Sequence, residues 1–329
     1  MWLSAHRLHA ALSGRVVTRF DLRVPELALS DLTGATVTEV LARGKHILMR
    51  FDDGLTLHSH LRMDGSWRID RAGTATRAGG PGARGLAAGR PAAGRPAAGR
   101  PTRSQPRERD SFDIRVIIGN AEWTASGARV HDLELARTDD EARWVGHLGP
   151  DILGPDWDAA RAAANLGADD RPLVEALLDQ RNLAGVGNMY AAELMFLAGV
   201  HPLTPATNVT KLDTVVRTAF KALRANRDHP EQSTTGRTAR GEQHWVYLRT
   251  GQPCRRCRTP IATDEFGQPR GSATPSGART VSRLRSPGRR TELPGPVVKP
   301  AAEGSRRRVP SRRPLTSVRP DDDRAKDHP

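Results

Sequence analysis

Hydrophobic residues at helical spacing flank a glycine-rich break in the second half of the chain. Leu173, Leu177 and Leu178 recur on one face before the break, and Leu194 and Leu197 recur on one face after it. This pattern predicts two apolar-faced helices joined by a short corner of small residues. The same spacing predicts two further helices, at residues 6–12 and 212–226.

The corner between the two predicted helices has the composition of an anion site. Gly185 and Gly187 permit positive φ and leave backbone N–H groups uncovered, and Asn188 can cap the second helix. Because a helix N-terminus carries partial positive charge, such a corner suits a phosphate. The spacing alone equally fits an ordinary helical hairpin with a glycine C-cap, so both interpretations stay open at this point.

Alternating apolar and polar residues in the first half predict a hairpin-rich antiparallel sheet. Residues 47–51 and 55–61 flank a turn at Asp53-Gly54, which is a typical hairpin signal. Strand patterns also occur at 37–41 and 114–118. A strand is further predicted before the Cys254-x-x-Cys257 knuckle, at 245–247, and another after it.

Three side chains fall at the ends or in the loops of this predicted sheet. Lys45 enters one strand, Met63 follows the neighbouring strand, and Arg129 lies in the loop 126–129. A lysine at such a rim is usually only solvated, and the methionine has a core position as its alternative. Position alone therefore assigns these side chains no function.

Two stretches lack hydrophobic periodicity and divide the chain. Residues 71–110 contain an Ala-Ala-Gly-Arg-Pro repeat, and residues 282–329 are dominated by Arg, Pro, Ser and Gly. Neither has the apolar residues to build a core, so we predict disorder for both. The remaining chain is predicted to form a sheet domain at 1–135, a helical domain at 136–240 and a knuckle segment at 241–281.

The charge of the chain narrows the choice of partner. Fifty-one Lys and Arg against 37 Asp and Glu give a net charge of +14 in 329 residues, which favours a polyanion. No apolar run approaches the roughly 18 residues that span a bilayer, so we expect no membrane partner and a cytoplasmic protein. The two cysteines, Cys254 and Cys257, have a spacing that suits half a metal knuckle better than a disulfide framework.

Three separated stretches resemble one protein family. RGKHIL at 43–48, LHSHLRMDGSW at 57–67 and LLDQRNLAGVGNMYAAELMFLAGVHPLTP at 177–205 are similar to the formamidopyrimidine-DNA glycosylase and endonuclease VIII family. GQPCRRCRTPI at 251–261 resembles the first half of that family's zinc finger. TVTEVLARGKHIL and HLGPDILGPDWD resemble its bacterial endonuclease VIII-like branch. The corner between the helices is the most specific of these motifs.

The resemblance implies an α+β fold and a role in base-excision repair. An N-terminal antiparallel β-sandwich, a helix-two-turn-helix domain and a degenerate zinc-finger hairpin would surround damaged double-stranded DNA. The family removes an oxidised base and then cleaves the strand at the abasic site by β-elimination. By resemblance, Lys45 grips a phosphate and assists elimination, Met63 fills the space of the flipped nucleotide, and Asn188 contacts a phosphate beside the lesion. Arg129 and Arg279 are implied as further DNA contacts.

The chain departs from the family at its start. The family's nucleophile is an N-terminal proline followed by a glutamate, in the pattern PEGDTVW, whereas this sequence begins Met1-Trp2. A terminal secondary amine is partly unprotonated at neutral pH, so it can attack the sugar C1′ and form the iminium that drives elimination. Met1 aligns with the valine before the family's tryptophan. We hypothesise that the reading frame begins six residues earlier.

The chain also departs from the family in its zinc finger. The two thiolates of Cys254 and Cys257 do not complete a tetrahedral zinc site, and His244 is a conceivable third ligand without a fourth. A frameshift near residue 281 would explain both the missing cysteines and the arginine-rich tail. We therefore expect that zinc, the family's metal, is not stably bound, and that the turn of Arg279 lacks the metal that would hold it.

The sequence thus favours a DNA glycosylase and abasic-site lyase of bacterial type, acting as a monomer at the nucleoid. Its activity is expected to be impaired if the missing proline and glutamate are real losses. The alternative is a catalytically inactive protein that binds damaged DNA. An RNA-binding module would explain the charge but not the contexts of Lys45, Met63 and Asn188. The interpretation requires that the glycine corner faces the rim that carries Lys45 and Met63.

Overall fold

Two antiparallel sheets form from the alternating sequences of the first half of the chain. The computed structural model describes residues 1–73, 111–266 and 279–284, within one unit that spans Met1–Arg290. From edge to edge, the first sheet contains β1 (Arg15–Val16), β3 (Thr36–Arg43), β4 (His46–Phe51), β5 (Leu55–His60) and β9 (Asp132–Arg137). The second contains β2 (Arg19–Leu22), β7 (Ile114–Gly119), β8 (Trp123–Ala128) and β6 (Ser66–Arg71). The predicted antiparallel β architecture is therefore confirmed.

The apolar faces of both sheets meet in one core with the first helix, α1 (Trp2–Leu12). Leu8 of the helix, Ile47 of the first sheet and Ile118 of the second are all buried there. Side chains alternate between the two faces of a strand, so the apolar positions of each strand point to this shared layer. The predicted hairpin turn lies between β4 and β5, where Gly54 has φ 81°.

The helices of the second half pack around a separate core. They are α3 (Ala159–Gly167), α4 (Leu173–Leu178), α5 (Asn188–Ala198) and α6 (Leu212–Asn226). The short α2 (Ala142–Val145) precedes them, and its Trp144 stacks on His58 of β5. Helix α6 buries Val215, Val216, Ala219 and Leu223, which recur at the spacing of one helix face. Helix α5 ends at Gly199, whose φ of 68° is the left-handed conformation typical of a glycine C-cap. None of the helices in the described part of the chain combines the length and hydropathy needed to cross a bilayer.

The segment before the cysteine knuckle differs from the prediction. Trp, Val and Tyr favour strands, which is why the sequence predicts a strand at 245–247, yet these residues form none. Their three backbone amides donate instead to the carboxylate of Glu193 in α5, so they have no strand partner. The strand expected after the knuckle is β10 (Ile261–Phe266), which pairs with β11 (Arg279–Leu284).

Two of the predicted segments fall largely outside the described residues. The predicted insertion at 71–110 is described only as far as residue 73, and the predicted tail at 282–329 only as far as Leu284, where β11 ends. The predictions of disorder for these segments, and the domain boundaries, therefore stay predictions.

Candidate nucleic-acid interface and active site

The turn between β3 and β4 carries Lys45 and is tied to the connector that precedes α3. Gly44 has φ 55°, and its amide donates to Asp151 Oδ2 at 2.7 Å, while the amide of Leu153 donates to Asp151 Oδ1 at 3.1 Å. Asp151 is 3% exposed, and burial raises the pKa of its carboxyl group. A buried side chain that accepts two amide hydrogen bonds fixes both segments. The backbone at Lys45 is therefore held against the helical half of the chain.

The glycine corner is held by one glutamine side chain. Gly185 has φ 111°, and its amide donates to Gln180 Oε1 at 2.9 Å. Gln180 Nε2 donates to the carbonyls of Leu178 at 2.9 Å and Val186 at 3.1 Å. A Cβ at Gly185 would lie 2.8 Å from Ile152 Cγ2, so both conformation and space require glycine there. The corner between α4 and α5 is thus a fixed turn.

The start of α5 lies against Lys45. Only Gly185 uses the positive φ that both glycines permit, since Gly187 is extended with φ −123° and ψ 179°. A Cβ at Gly187 would lie 3.4 Å from Lys45 Nζ, so this glycine allows a close approach. The prediction that Asn188 caps α5 is wrong, because Gly187 occupies the cap position and Asn188 is the first helical residue. The first amides of α5 therefore have neither an intrahelical acceptor nor a side-chain cap.

One cavity of about 370 Å³ brings the turn and the corner together. Lys45, Asp151, Gly185, Gly187 and Tyr190 all line it. The glycine corner therefore faces Lys45, as the interpretation from the sequence requires. An ammonium group beside the uncapped amides of a helix N-terminus is an arrangement that binds phosphate-like anions.

The first residues of the chain belong to the same cavity. Met1, Trp2 and Leu3 line it, and Arg227 stacks on the Trp2 ring at 4.8 Å from the centroid. The cavity thus combines the first residues of α1 with an ammonium group and backbone amides.

Met63 and Arg129 lie on neighbouring loops at the sheet rim. Met63 is 83% exposed, which excludes a core position. It follows β5, whose last residue pairs with the first residue of β4, so its loop leaves the sheet at the Lys45 end. Arg129 has φ 51°, and its Nε lies 3.4 Å from the carbonyl oxygen of Asp64 and 3.5 Å from its carboxylate. The two side chains are therefore available to one ligand at this rim.

A cluster of histidines beside Lys45 was missed in the sequence. His46 Nδ1 lies 2.8 Å from His58 Nε2, and the rings of His60 and His147 lie 5.3 Å and 6.4 Å from the His46 ring. Burial, and then the neighbouring histidines, lower the pKa of His46 to about 4. His58 stacks on Trp144 at 4.8 Å, and burial lowers its pKa to about 4 as well. The signal available in the sequence was the His-Ser-His alternation, which places two of these rings on one face of β5.

A second cavity of about 510 Å³ also borders the N-terminus of α5, at Met189. Met189, His244 and Tyr247 line it, and Gln232 lines both this cavity and the one that contains Lys45. The Tyr190 hydroxyl donates to Gln232 Oε1 at 2.5 Å, so this pair forms part of the wall between the two spaces. One ligand that extends along α5 could therefore place different parts in each cavity.

Among the described residues, the cysteine knuckle offers two thiolates and no third metal ligand. Cys254 is buried and Cys257 exposed, and Cys254 Sγ accepts a hydrogen bond from the Arg256 amide at 3.3 Å. Among the described residues, no group of three or more His, Cys, Asp or Glu side chains could hold a metal ion. His244 therefore does not complete the site, since its ring packs against Tyr247 with centroids 5.5 Å apart. Two thiolates leave a tetrahedral zinc ion without half of its ligands.

Arg279 is described only by its backbone. It is the first residue of β11 and pairs with Phe266 of β10. Its implied DNA contact stays a prediction, as do those of Lys45, Met63, Arg129 and Asn188.

Comparisons with known proteins agree on one family. The chain matches the formamidopyrimidine-DNA glycosylase N-terminal domain over residues 3–109 and the formamidopyrimidine-DNA glycosylase H2TH domain over residues 148–231. It is 48% identical over 273 residues to "Probable endonuclease 8 2" of Streptomyces coelicolor, which covers 81% of this chain and 86% of that protein. It is 41% identical over 266 residues to the DNA-(apurinic or apyrimidinic site) lyase Nei2 of Mycolicibacterium smegmatis, and this match covers 80% of this chain and 91% of that protein.

A solved structure of low sequence identity has a similar fold. It is Lactococcus lactis Fpg in a complex with DNA that contains an abasic site, with a TM-score of 0.61 at 20% identity. The match covers 86% of this chain and 95% of that one. The mixed α/β architecture, with antiparallel sheets followed by a helical domain, is therefore shared.

Proposed function

Because the chain belongs to the formamidopyrimidine-DNA glycosylase and endonuclease VIII family, we propose that it excises oxidised bases from DNA and cleaves the strand at the abasic site. The observation that carries this function is the cavity in which Lys45 lies beside Gly187 at the N-terminus of α5. Cleavage of a DNA strand needs a phosphate held close to a reactive group. This cavity combines backbone amides suited to a phosphate with the amine of Lys45. The protein is accordingly an enzyme of base-excision repair.

Lys45 has two roles in this proposal. Its ammonium group and the first amides of α5 bind a phosphate beside the damaged nucleotide, with Asn188 as a further contact. The same ammonium group lies near the sugar, where it assists the elimination that breaks the strand. Asp151 positions the turn through Gly44, so we expect its effect on activity to act through Lys45.

The two cavities suit two parts of one flipped nucleotide. The cavity with Lys45 takes the sugar, and the cavity lined by Met189 and Tyr247 takes the base. Enzymes that act on a base extrude it from the stack, and the space left in the duplex must be filled. The exposed Met63 fills that space, and Arg129 supports it from the adjacent loop.

We propose that zinc is not stably bound, because Cys254 and Cys257 lack two further ligands among the described residues. Elemental analysis of the purified protein is expected to find well under one zinc per chain. We also propose that the protein works as a monomer on damaged double-stranded DNA at the bacterial nucleoid; the relatives that it resembles are bacterial proteins. No feature of the described residues favours an inactive DNA-binding protein.

Trapping with borohydride tests the proposed chemistry. Incubating the chain with a duplex that contains an abasic site, or an oxidised base, is expected to give a covalent adduct when borohydride reduces the iminium. Lys45→Ala is expected to lower strand cleavage about 100-fold, the range for loss of a general acid or base. Lys221→Ala is the matched control, because Lys221 lies on the exposed face of α6. Binding without adduct and without cleavage would refute the proposal.

Peptide mapping of the trapped adduct identifies the attacking amine. A second version of the protein, in which the family's PEGDTV replaces Met1 before Trp2, tests whether a terminal proline acts as the nucleophile. We expect this version to form at least about tenfold more adduct, attached to its terminal proline, because that secondary amine is partly unprotonated at neutral pH. Equal adduct from both versions would show that the terminal proline is not the attacking amine.

A further inference from the structure

Leu248 has an unfavourable backbone conformation and an exposed apolar side chain. Its φ is 56°, and its side chain is 77% exposed. The other non-glycine residues with positive φ in the described part of the chain are the arginines Arg62, Arg129 and Arg258. Positive φ disfavours a leucine, which would adopt an extended or helical backbone more readily. Such a residue persists only where the surrounding structure imposes its conformation, and these positions cluster at functional sites.

Hydrogen bonds on both sides of Leu248 impose this conformation. The amide of Tyr247 donates to Glu193 Oε1 at 2.8 Å, so the backbone before Leu248 is anchored to α5. The guanidinium of Arg249 donates to the carbonyl of Pro253 at 2.9 Å, so the backbone after it is anchored to the knuckle. The turn is thus determined by its neighbours, and the leucine side chain projects from it at a cost to stability.

Leu248 lines the second cavity. Met189, His244 and Tyr247 line the same space, which holds about 510 Å³. A nucleobase presents two apolar faces and a polar edge. Leu248 and Met189 offer apolar contact to such faces, and the imidazole of His244 offers a hydrogen-bonding group for an edge. An exposed aliphatic side chain gains apolar burial when a base packs against it.

We propose that Leu248 is a specificity-determining residue that packs against the face of the flipped, damaged base. The inference rests on the proposed function, because it assigns the second cavity to the base. It goes beyond that function by naming a side chain that distinguishes a site with a damaged base from a site with none. Abasic DNA offers nothing for Leu248 to contact, so the residue contributes to binding and excision of the base and not to cleavage at an abasic site.

The experiment compares Leu248→Gly with the wild-type chain on two DNA duplexes. One duplex carries an oxidised pyrimidine and the other an abasic-site analogue. We expect affinity and kcat/KM for the oxidised base to fall about tenfold, since the apolar contact is lost, and affinity for the abasic duplex to change less than about twofold. The melting temperature is expected to rise by about 2 °C, because glycine tolerates positive φ.

Two further variants separate the side chain from the backbone. Leu248→Met keeps an apolar side chain of similar volume and is expected to retain base excision within about threefold. Arg258→Gly relieves another positive φ outside the cavity, so it is expected to raise the melting temperature without changing the ratio of affinities for the two duplexes.

The outcomes distinguish this inference from the proposed function. If Leu248→Gly weakens binding to both duplexes equally, or leaves the affinity for the duplex with the oxidised base unchanged, Leu248 does not contact the base and the inference is wrong. If instead the wild-type chain binds damaged and undamaged duplexes equally and cleaves neither, the proposed function itself fails. Selective loss on the oxidised base with a raised melting temperature supports the inference.

Discussion

The buried carboxylate of Glu193 replaces the strand partner that residues 245–247 lack. Glu193 is 0% exposed, and its Oε1 accepts hydrogen bonds from the amides of Val246 and Tyr247, each at 2.8 Å. Its Oε2 accepts one from the amide of Trp245 at 2.8 Å and another from the hydroxyl of Thr234. One side chain in the middle of α5 therefore holds the segment that lines the second cavity.

Glu193→Gln changes the chemistry of this contact without changing its shape. One acceptor oxygen becomes an NH₂ group, so at least one backbone amide faces another donor, and the remaining bonds lose the carboxylate charge. A hydrogen bond to a charged group contributes about 1.5–3 kcal/mol, and a buried unsatisfied donor costs about 1–3 kcal/mol. The segment is therefore expected to lose roughly 3–4 kcal/mol, which is on the order of a 10²- to 10³-fold increase in its opening equilibrium.

Hydrogen exchange measures this loss directly at the three amides. In the wild-type chain, Trp245, Val246 and Tyr247 are expected to be strongly protected, and in Glu193→Gln their exchange is expected to accelerate by about two to three orders of magnitude. Glu175→Gln on α4 is the matched control, since Glu175 is only half-buried, and its exchange pattern should match the wild type. Acceleration of less than about fivefold in Glu193→Gln would show that the Glu193 carboxylate does not hold this segment.

Three further results are expected. Gly185→Ala should lower the free energy of unfolding, measured by thermal denaturation, by about 2–4 kcal/mol, because φ is 111° there and the new Cβ would lie 2.8 Å from an isoleucine methyl. Gly34→Ala is the control and should cost about 1 kcal/mol, because φ is 96° there but a Cβ would have no atom within 4 Å. Burial lowers the pKa of His46 and His58 to about 4, so the unfolded chain binds protons first, and the melting temperature should fall as pH drops from about 6.5 towards 4. A double variant with glutamine at both positions should show a flatter profile. DNA affinity, measured by fluorescence anisotropy, should fall steeply as the salt concentration rises. In a plot of the logarithm of the binding constant against the logarithm of the salt concentration, Lys45→Gln should make the slope shallower by about 0.9, which corresponds to one lost phosphate contact.

The glycine corner illustrates which parts of the site could be predicted from the sequence. This turn between two helices needs a residue with positive φ. Glycine is the residue that adopts positive φ freely, so Gly185 marks the position of the turn in the sequence. The approach of Lys45 to Gly187 could not be predicted from composition or spacing, since it depends on how the sheet rim docks against the helices. Asn188 shows the limit of residue preferences, because asparagine favours the cap position and yet lies one residue inside the helix.

Residues 245–247 show a second limit, where a distant partner overrides local preference. Their side chains favour a strand, but a strand also needs a neighbouring strand for its amides. Glu193 supplies acceptors for all three amides from 52 to 54 residues earlier in the chain. The sequence does contain a sign of this role, because Glu193 interrupts a helix whose other inner residues are apolar. Such a residue must find partners or remain outside the core.

The connector around Asp151 explains why two distant motifs form one site. Its carboxylate holds the turn at Gly44, next to Lys45. Its backbone pairs with Ala184 in the glycine corner, where the amide of Ile152 donates to the Ala184 carbonyl at 3.1 Å. The sheet rim and the helical corner are therefore both held by one short segment, through its side chain on one side and its backbone on the other. Because hydrogen bonds fix the geometry on both sides, the position of the Lys45 turn relative to α5 is set in the free protein, so the proposed phosphate site is preorganised rather than assembled by its ligand.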